Sequence, residues 1–289
     1  PPFFSIVKRY WKGVHFPYRK VGNMTKKKVI AAILIIAAAI AVLILLLPIE
    51  KNNQLKEKYG RLYENAQTDE KSKYILDNAD KYPQKILDLY YKSDDYLDVV
   101  YGYFEHKNDY QSMSYTDEEI KVGTLPKLYM SDYRWCYETV GGDMILCEGC
   151  VPGSLTMSYI YLTGKDDIDP VKISKIAENI GAIGDWGGIS DAHIVELADK
   201  IGLSITVNDF TQEHNASEEL IKNIIDEGHA AMLGMVGETF GGHAVVVREV
   251  TDEGIYINDS ADEEYTEKLW SFSELQPEIY YVWDISLAE

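Results

Sequence analysis

The sequence predicts an α+β fold for residues 124–289, and three observations support this. Before about Thr124 the composition is acidic and poor in glycine. After it, the sequence pattern predicts short helices, strands and glycine turns. Several of the apolar runs are short and rich in β-branched residues, as in strands. The run "REVTDEGIYIND" joins two of these strands through a "TDEG" turn, which is typical of a β-hairpin.

The N-terminal region divides into a basic arm and an apolar segment. Residues 1–28 contain eight basic residues and no acid, and Val29 to Leu47 carry no charge. This segment is long enough to cross a hydrocarbon core about 30 Å thick. We therefore predict one transmembrane helix at 29–47. The positive charge places the arm in the cytoplasm and the rest of the chain outside the cell.

A cleaved signal peptide is the alternative for this segment. Met24 could be its start and "TKKK" its basic part, which leaves the true start codon open. However, the apolar stretch is too long, and "LLPIEKNN" has no small-x-small cleavage site. No cysteine follows directly that could carry a lipid. We therefore expect an uncleaved anchor in the cell membrane.

The charge of the exported part limits its partners. Without the arm, 20 basic residues remain against 47 acidic ones, a formal charge of −27. Such a chain lacks the basic patch that neutralises phosphates, so nucleic-acid and anionic-surface roles are excluded. Basic or neutral partners are expected instead. The sequence shows neither a phosphate-binding glycine loop nor a carboxylate metal cluster, so no cofactor and no metal are expected.

Residues 48–123 are acidic, tyrosine-rich and free of cysteine. In "YPQKILDLYYKSDDYLDVVYGYFEH" the apolar residues recur at helical spacing, with Pro83 near the start and "KSDD" as an interruption. This pattern predicts two or three short amphipathic helices that form an extracellular stalk or lid. We expect the aromatic side chains to pack rather than to bind a ligand.

Three helices and four strands are predicted in residues 124–289. The helices are "SLTMSYIYLTG", closed by Gly164, "DPVKISKIAENIG", beginning at Pro170, and "SDAHIVELADKIGL", capped by Ser190. The strands are "AAMLGMV", "HAVVVREV", "GIYIND" and "IYYVWDISL". Counting outward from the "TDEG" turn, His243 lies opposite Asp259 within a couple of positions.

Cys150 stands at the predicted N-terminus of the first of these helices, with Pro152 in its first turn. The helix dipole and the unpaired N–H groups there lower the pKa of a thiol and supply one oxyanion donor. A nucleophile, a base and a carboxylate that orients the base thus follow in chain order as Cys150, His243 and Asp259. This order is that of papain-like enzymes.

Four residues are candidates for the walls of a substrate cleft. Gly241 and Gly242 precede His243 and clear space beside its ring, which favours a functional over a purely structural histidine. Trp135 and Trp186 are interpreted as core or cleft-wall aromatics that could shape a groove.

The blocks "MSDYRWCYETVGG", "GCVPGSLTMSYIYLTG", "GGHAVVV" and "GIYINDSAD" together resemble the signature blocks of bacterial C39-like cysteine peptidases. These are relatives of the bacteriocin leader-processing enzymes within the papain clan. The resemblance covers about Leu125 to Leu287. It implies a papain-like fold, with a helix-borne cysteine packed on an antiparallel sheet, and hydrolysis of peptide or isopeptide bonds. It also implies Cys150 as nucleophile, His243 as base and Asp259 as third member.

The resemblance is incomplete at the oxyanion hole. The family usually has a glutamine two residues before the aspartate of its D-x-R-W block, where this chain has Met130. A thioether cannot donate a hydrogen bond. Losing one oxyanion donor costs about 10²–10³-fold in turnover. A catalytically impaired, peptide-binding module is therefore the alternative function. The oxyanion region comprises Met130 and Cys150, and the hydroxyl groups that could replace the amide are those of Ser131, Tyr129 and Tyr133.

The three cysteines allow further interpretations. Cys136 and Cys147 flank "YETVGGDMIL", whose double glycine could turn a hairpin and bring them within disulfide range, leaving Cys150 free. Three reduced thiols are an equal alternative. "CEGC" is also a CxxC pair, so a thiol oxidoreductase or a zinc knuckle remains a less favoured reading. The helix begins too late for the redox role, and zinc lacks a fourth ligand.

Overall fold

The computed structural model describes residues 26–93, 96–112, 114–184 and 188–288. The chain divides into two compact units, Pro1–Asn78 and Ala79–Glu289. The predicted basic arm lies outside the described residues except for its last three. The predicted helical segment 48–123 is divided between the two units.

Two helices form the described part of the first unit, α1 (Lys26–Asn65) and α2 (Glu70–Asp77). Gly60 has φ 39° and ψ −107°, so α1 consists of two helical stretches joined at a kink. The Asp69 carboxylate caps α2 by accepting a hydrogen bond from the Ser72 N–H. Leu62 of α1 and Ile75 of α2 are fully buried.

The predicted transmembrane span Val29–Leu47 lies within α1. Its described side chains, among them Leu34 and Ile35, are apolar and exposed, while the side chains of residues 29, 32 and 43–45 lie outside the described set. Within the part of the chain that is described, no helix has both the length and the apolar character needed to cross a membrane. The transmembrane helix stays a prediction.

The second unit begins with two amphipathic helices, α3 (Gln84–Lys92) and α4 (Leu97–His106). Both lie where the sequence predicts short helices, and α3 ends at Lys92, the first residue of "KSDD". The Tyr137 hydroxyl donates to the Val99 carbonyl of α4 at 2.6 Å, and the Tyr133 hydroxyl donates to the Asp98 carbonyl at 3.1 Å. These bonds join α4 to the segment that precedes the predicted nucleophile.

The strands of the second unit are β1 (Thr139–Val140), β2 (Asp143–Met144), β3 (Leu203–Asp209), β4 (Ala230–Gly237), β5 (Gly241–Thr251), β6 (Gly254–Asn258) and β7 (Ile279–Leu287). Five of them form an antiparallel sheet at the centre of the unit, with the spatial order β3-β7-β4-β5-β6. The separate hairpin of β1 and β2 turns at Gly141 and Gly142, which both have positive φ, as the double glycine predicts.

The helices around this sheet confirm the α+β prediction. They are α5 (Ile145–Glu148), α6 (Cys150–Thr163), α7 (Pro170–Asn179), α8 (Ile194–Asp199), α9 (Glu218–Asp226), α10 (Glu263–Glu267) and α11 (Phe272–Leu275). Gly164 closes α6 with φ 63°, and Asp169 caps α7 ahead of Pro170. Ser190 is not an α-helix cap, because a 3₁₀ turn, Asp191–His193, precedes α8 and the serine hydroxyl makes no capping bond.

The sheet separates two apolar cores, because successive side chains of a strand point to opposite faces. Met232 of β4 lies in the same core as Leu155 of α6, whereas its neighbour Leu233 lies in the other core with Ile221 of α9. Helix α6 is buried from Val151 to Ile160, as expected for a helix enclosed on all sides. Its position beside the sheet fixes where its first residue, the predicted nucleophile, must lie.

The contact between α4 and the segment before the nucleophile is testable with Tyr137→Phe. We expect this change to lower the free energy of unfolding by about 1 kcal/mol, because it deletes one largely buried hydrogen bond. Urea unfolding measures the change. Tyr256→Phe is the control, since the Tyr256 hydroxyl makes no hydrogen bond with the described residues. Equal stability of the two variants would contradict the proposed contribution of this bond.

Candidate active site

Cys150 occupies the first position of α6, as predicted. The N-cap residue Gly149 offers no side-chain cap, and the first backbone bond of the helix runs from the Gly153 N–H to the Gly149 carbonyl at 2.8 Å. Pro152 has no N–H. The N–H groups of Cys150 and Val151 are therefore left without intrahelical acceptors, and the helix dipole favours an anion at this end.

Two glycines allow the close packing around this helix start. A Cβ atom on Gly149 would lie 2.4 Å from the Ile145 carbonyl oxygen, so no side chain fits before the cysteine. A Cβ atom on Gly153 would lie 3.2 Å from the Cβ of Ser260. The loop that follows Asp259 thus packs directly on the first turn of α6.

His243 and Asp259 lie side by side, as the hairpin count predicts. The β5–β6 register pairs Val246 with Asn258, and its continuation brings Asp259 opposite Val245, two residues from His243. His243 Nε2 and Asp259 Oδ1 are 2.7 Å apart, and the two side chains are only 11% and 2% exposed. This is a short, buried hydrogen bond between an imidazole and a carboxylate.

His243 and Cys150 line the same cavity, and the Cys150 thiol is one of the groups that raise the pKa of His243. Because Nε2 faces Asp259, Nδ1 is the ring nitrogen left for the sulfur. The structure therefore brings the three predicted residues into one series of thiol, imidazole and carboxylate. That order matches a nucleophile, a base and a group that orients the base.

The surroundings raise the pKa of His243. Burial by itself lowers this pKa, because it disfavours the charged imidazolium. The hydrogen bonds to Asp259 and Cys150, together with the charges of these two groups, outweigh burial and raise the pKa from 6.5 to about 10. The ring is therefore protonated at neutral pH, where an imidazolium stabilises a neighbouring thiolate.

Neighbouring groups hold His243 and Asp259 in place. The Thr266 hydroxyl accepts from the Asp259 N–H at 2.9 Å and lies 3.0 Å from the Asp259 carbonyl, to which it can donate. The Ala261 N–H donates to Asp259 Oδ1 at 2.7 Å. The Phe240 ring lies nearly parallel to that of His243, with centroids 6.5 Å apart. Carboxylate and imidazole therefore have little freedom to turn away from each other.

The sequence analysis did not identify Thr266 or Phe240. Phe240 stands directly before "GGH", and an aromatic residue at that place is a signal that could have been used. Thr266 follows Asp259 by seven residues in a loop and a short helix. No periodic pattern marks such a contact.

A cavity of about 180 Å³ lies beside Cys150 and His243. Gly242 lines it, as predicted, whereas Gly241 is not among its lining residues and turns the chain with φ 65°. Trp135 is not a cleft wall: it is 1% exposed in the core, and its indole N–H donates to the Tyr129 carbonyl at 2.8 Å. Trp186 lies outside the described residues.

Of the predicted oxyanion region, Cys150 lines this cavity, whereas Met130 and Ser131 are not among its lining residues. Met130 is buried, and its N–H donates to the Ser260 carbonyl at 2.7 Å. Ser131 is exposed, and the Tyr133 hydroxyl donates to a carbonyl of α4. Tyr129 does not line the cavity. Among the described residues that line the cavity, Cys150 and Val151 at the helix start remain as the backbone donors for an oxyanion.

Of the two alternatives for Cys136 and Cys147, the structure has reduced thiols and no disulfide, because both thiols are free. Cys136 is fully buried, and burial raises the pKa of its thiol. Cys147 instead faces α3, where its sulfur lies 3.7 Å from Lys92 Nζ. The hairpin does form between the two cysteines, but their side chains have different neighbours.

A second imidazole–carboxylate pair lies elsewhere in the second unit. His229 Nδ1 and Asp284 Oδ1 are 2.7 Å apart. With Glu227 they form a group whose ligand atoms lie within 4.8 Å of one another, a set that could hold a metal ion. The sequence offered no partner for His229, since Asp284 lies 55 residues further along the chain.

A thiol at a helix start, beside an imidazole and a carboxylate from an antiparallel sheet, defines the class of α+β cysteine peptidases. The chain belongs to the Peptidase_C39 like family, whose family model matches residues 130–285. The match confirms the resemblance seen in the four sequence blocks and supports a hydrolase of the cysteine-peptidase type. No curated protein and no solved structure matches the chain.

Removing the Asp259 carboxylate tests the cause of the raised pKa of His243. We expect Asp259→Asn to lower the pKa of His243 from about 10, because it removes the carboxylate that, together with Cys150, opposes the effect of burial. NMR titration of the imidazole measures the shift. Asp284→Asn, at the second pair, is the matched control and should leave the pKa of His243 unchanged. A pKa that survives Asp259→Asn would contradict the assigned cause.

The same shift predicts how stability depends on pH. The folded-state pKa of His243 lies above its ordinary value of 6.5, so the stabilisation is complete below pH 6.5 and is lost as pH rises through about 10. In urea unfolding, the stability advantage of the wild-type chain over Asp259→Asn should therefore shrink across this range.

Proposed function

We propose that this protein hydrolyses peptide or isopeptide bonds with Cys150 as nucleophile, His243 as acid and base, and Asp259 as the residue that orients His243. The observation that carries the proposal is the buried 2.7 Å contact between His243 and Asp259, next to a thiol at a helix N-terminus. A structural histidine needs neither the thiol nor the adjacent cavity.

The reaction follows from these positions. The Cys150 thiolate attacks the carbonyl carbon of the scissile bond, and the His243 imidazolium gives its proton to the departing amine. This leaves a thioester on Cys150. His243 then takes a proton from a water molecule that attacks the thioester, and the product acid leaves as the Cys150 thiolate and the His243 imidazolium are restored. Asp259 holds the ring throughout and favours its charged form.

The helix start stabilises the tetrahedral oxyanion through the Cys150 N–H. A second donor is missing at Met130, and each such donor is worth about 10²–10³ in turnover. We therefore propose a slow peptidase. The alternative, a peptide-binding module that has kept the fold, is favoured by the same observation and differs only in the absence of turnover.

Met130→Gln separates these two functions. We expect it to raise peptide turnover by about tenfold or more, because the amide donates to charge that develops in the transition state. Alkylation of Cys150 by iodoacetamide should change little, since the thiolate depends on His243 and the helix end. Turnover of a peptide mixture and alkylation rates are measured by mass spectrometry.

Met130→Leu is the matched control and should leave turnover as in the wild type. His243→Ala should abolish both turnover and the enhanced alkylation. A reactive Cys150 without turnover, even in Met130→Gln, would support the binding module, and an unreactive Cys150 would refute the proposed triad.

We also propose that residues 29–47 anchor the protein in the cell membrane with the peptidase unit outside. The support is the uncharged apolar sequence and the eight basic residues before it. Protease added to intact cells should digest the chain after Leu47 and spare residues before Lys28. Protection of the acidic part from the protease would refute both the anchor and the orientation.

A further inference from the structure

Charge is distributed unevenly around the cavity beside Cys150. Apart from the catalytic His243, its charged lining residues among those described are two acids, Glu148 and Asp191, and no lysine or arginine lines it. Glu148 lies two residues before the nucleophile, at the end of α5. Asp191 begins the 3₁₀ turn before α8. Two distant parts of the chain therefore place a carboxylate at the same cavity.

Both carboxylates lack a close partner. Neither makes a hydrogen bond or a salt bridge with any residue that the structure describes. The Lys92 charge acts on Glu148, but the Lys92 ammonium lies 3.7 Å from the Cys147 sulfur. Burial raises the pKa of both acids. An unpaired carboxylate with this surrounding is stabilised when a cation binds beside it.

The aromatic side of the cavity also suits a cation. The Tyr281 and Trp283 rings are stacked, 5.2 Å apart and 11° from parallel, and both line the cavity. The Trp283 ring lies over Gly234 of β4, where a Cβ atom would come within 2.6 Å of it. Aromatic faces attract ammonium and guanidinium groups, and they pack equally well against the methylene stem of such a side chain.

The size of the cavity fits one side chain. Its volume of about 180 Å³ corresponds to about six water molecules. His243 adds no net repulsion, because its imidazolium is bonded to the Asp259 carboxylate. The chain as a whole carries a formal charge of −19, which attracts basic peptides.

We infer that this cavity binds a lysine or arginine side chain of the substrate, selected by Asp191 and Glu148 and supported by the Tyr281–Trp283 aromatic wall. The inference rests on the proposed peptidase function, since it names the substrate class of the same site. It makes Asp191 and Glu148 specificity-determining residues rather than catalytic ones.

The test uses N-acetylated peptidyl acyloxymethyl ketones that alkylate a cysteine nucleophile. Lysine, its neutral analogue norleucine, or glutamate is placed at each of the two positions before the ketone, so the side chain is the only cation. Rates of Cys150 labelling in the full-length chain are measured by mass spectrometry. At one position we expect lysine to react about tenfold faster than norleucine, equivalent to about 1.4 kcal/mol, and glutamate to react slowest.

The variants examine the cause of this preference. The double variant Asp191→Asn with Glu148→Gln should bring the ratio of lysine to norleucine towards one, and Asp191→Lys should favour glutamate. Asp252→Asn is the matched control. Combined with Glu253→Gln, it removes the same two charges from the hairpin turn, about 30 Å along β5 from His243, and should leave the ratio unchanged. Added salt should reduce the wild-type ratio.

A second measurement separates this inference from the proposed function. The same peptides without the ketone are titrated by NMR against the Cys150→Ala variant, so binding is observed without chemistry. Lysine preference in binding supports the inference even if Cys150 proves unreactive and the peptidase proposal fails. Equal binding and equal labelling of lysine and norleucine peptides would overturn the inference, while labelling itself would leave the peptidase proposal intact.

Discussion

One buried hydrogen bond joins the two elements on which the site depends. The Ser154 hydroxyl of α6 donates to the Ala244 carbonyl of β5 at 3.1 Å. Ser154 lies one turn after Cys150, and Ala244 directly follows His243, so this bond sets the distance between thiol and imidazole. Leaving that carbonyl unpaired costs about 1–3 kcal/mol. The apolar packing of α6 on the sheet gives the helix its place, and this bond fixes its position along the strand.

The buried carboxylate of Asp259 explains the hydrogen bonds made by the surrounding loop. An ionised group in the interior costs several kcal/mol unless hydrogen bonds compensate it. Here His243 and the Ala261 N–H donate to the carboxylate, and Thr266 fixes its backbone. Ser260, next in the chain, packs on Gly153 of the nucleophile helix. The same loop therefore compensates the buried carboxylate of Asp259 with hydrogen bonds and joins β6 to the start of α6.

Elements with their own local turns and caps could be predicted from the sequence. Features that depend on contacts between distant parts of the chain could not. The β5–β6 hairpin carries its own turn, so His243 and Asp259 could be paired from spacing. Cys150 was assigned from its place at the start of α6 and from the chain order of papain-like enzymes. Strand β3 was missed because it is an edge strand of mixed burial whose partner β7 lies about 80 residues later. Asp191 reaches the cavity only through tertiary packing. The choice between a disulfide and reduced thiols stayed open because a hairpin brings backbones together without deciding where each thiol points.

In the proposed oxyanion region, the backbone contact of Met130 is present, but its side chain lacks the hydrogen-bond donor that the family resemblance implies. The Met130 N–H still binds the Ser260 carbonyl, so this segment remains attached to the loop beside the triad, although its side chain cannot donate. A missing oxyanion donor weakens the transition state alone and therefore lowers kcat. The proposed binding of a cationic side chain in the cavity acts on the ground state and the transition state alike, so it lowers KM without restoring kcat. The two proposals together describe an enzyme that is selective at low substrate concentration yet slow at saturation.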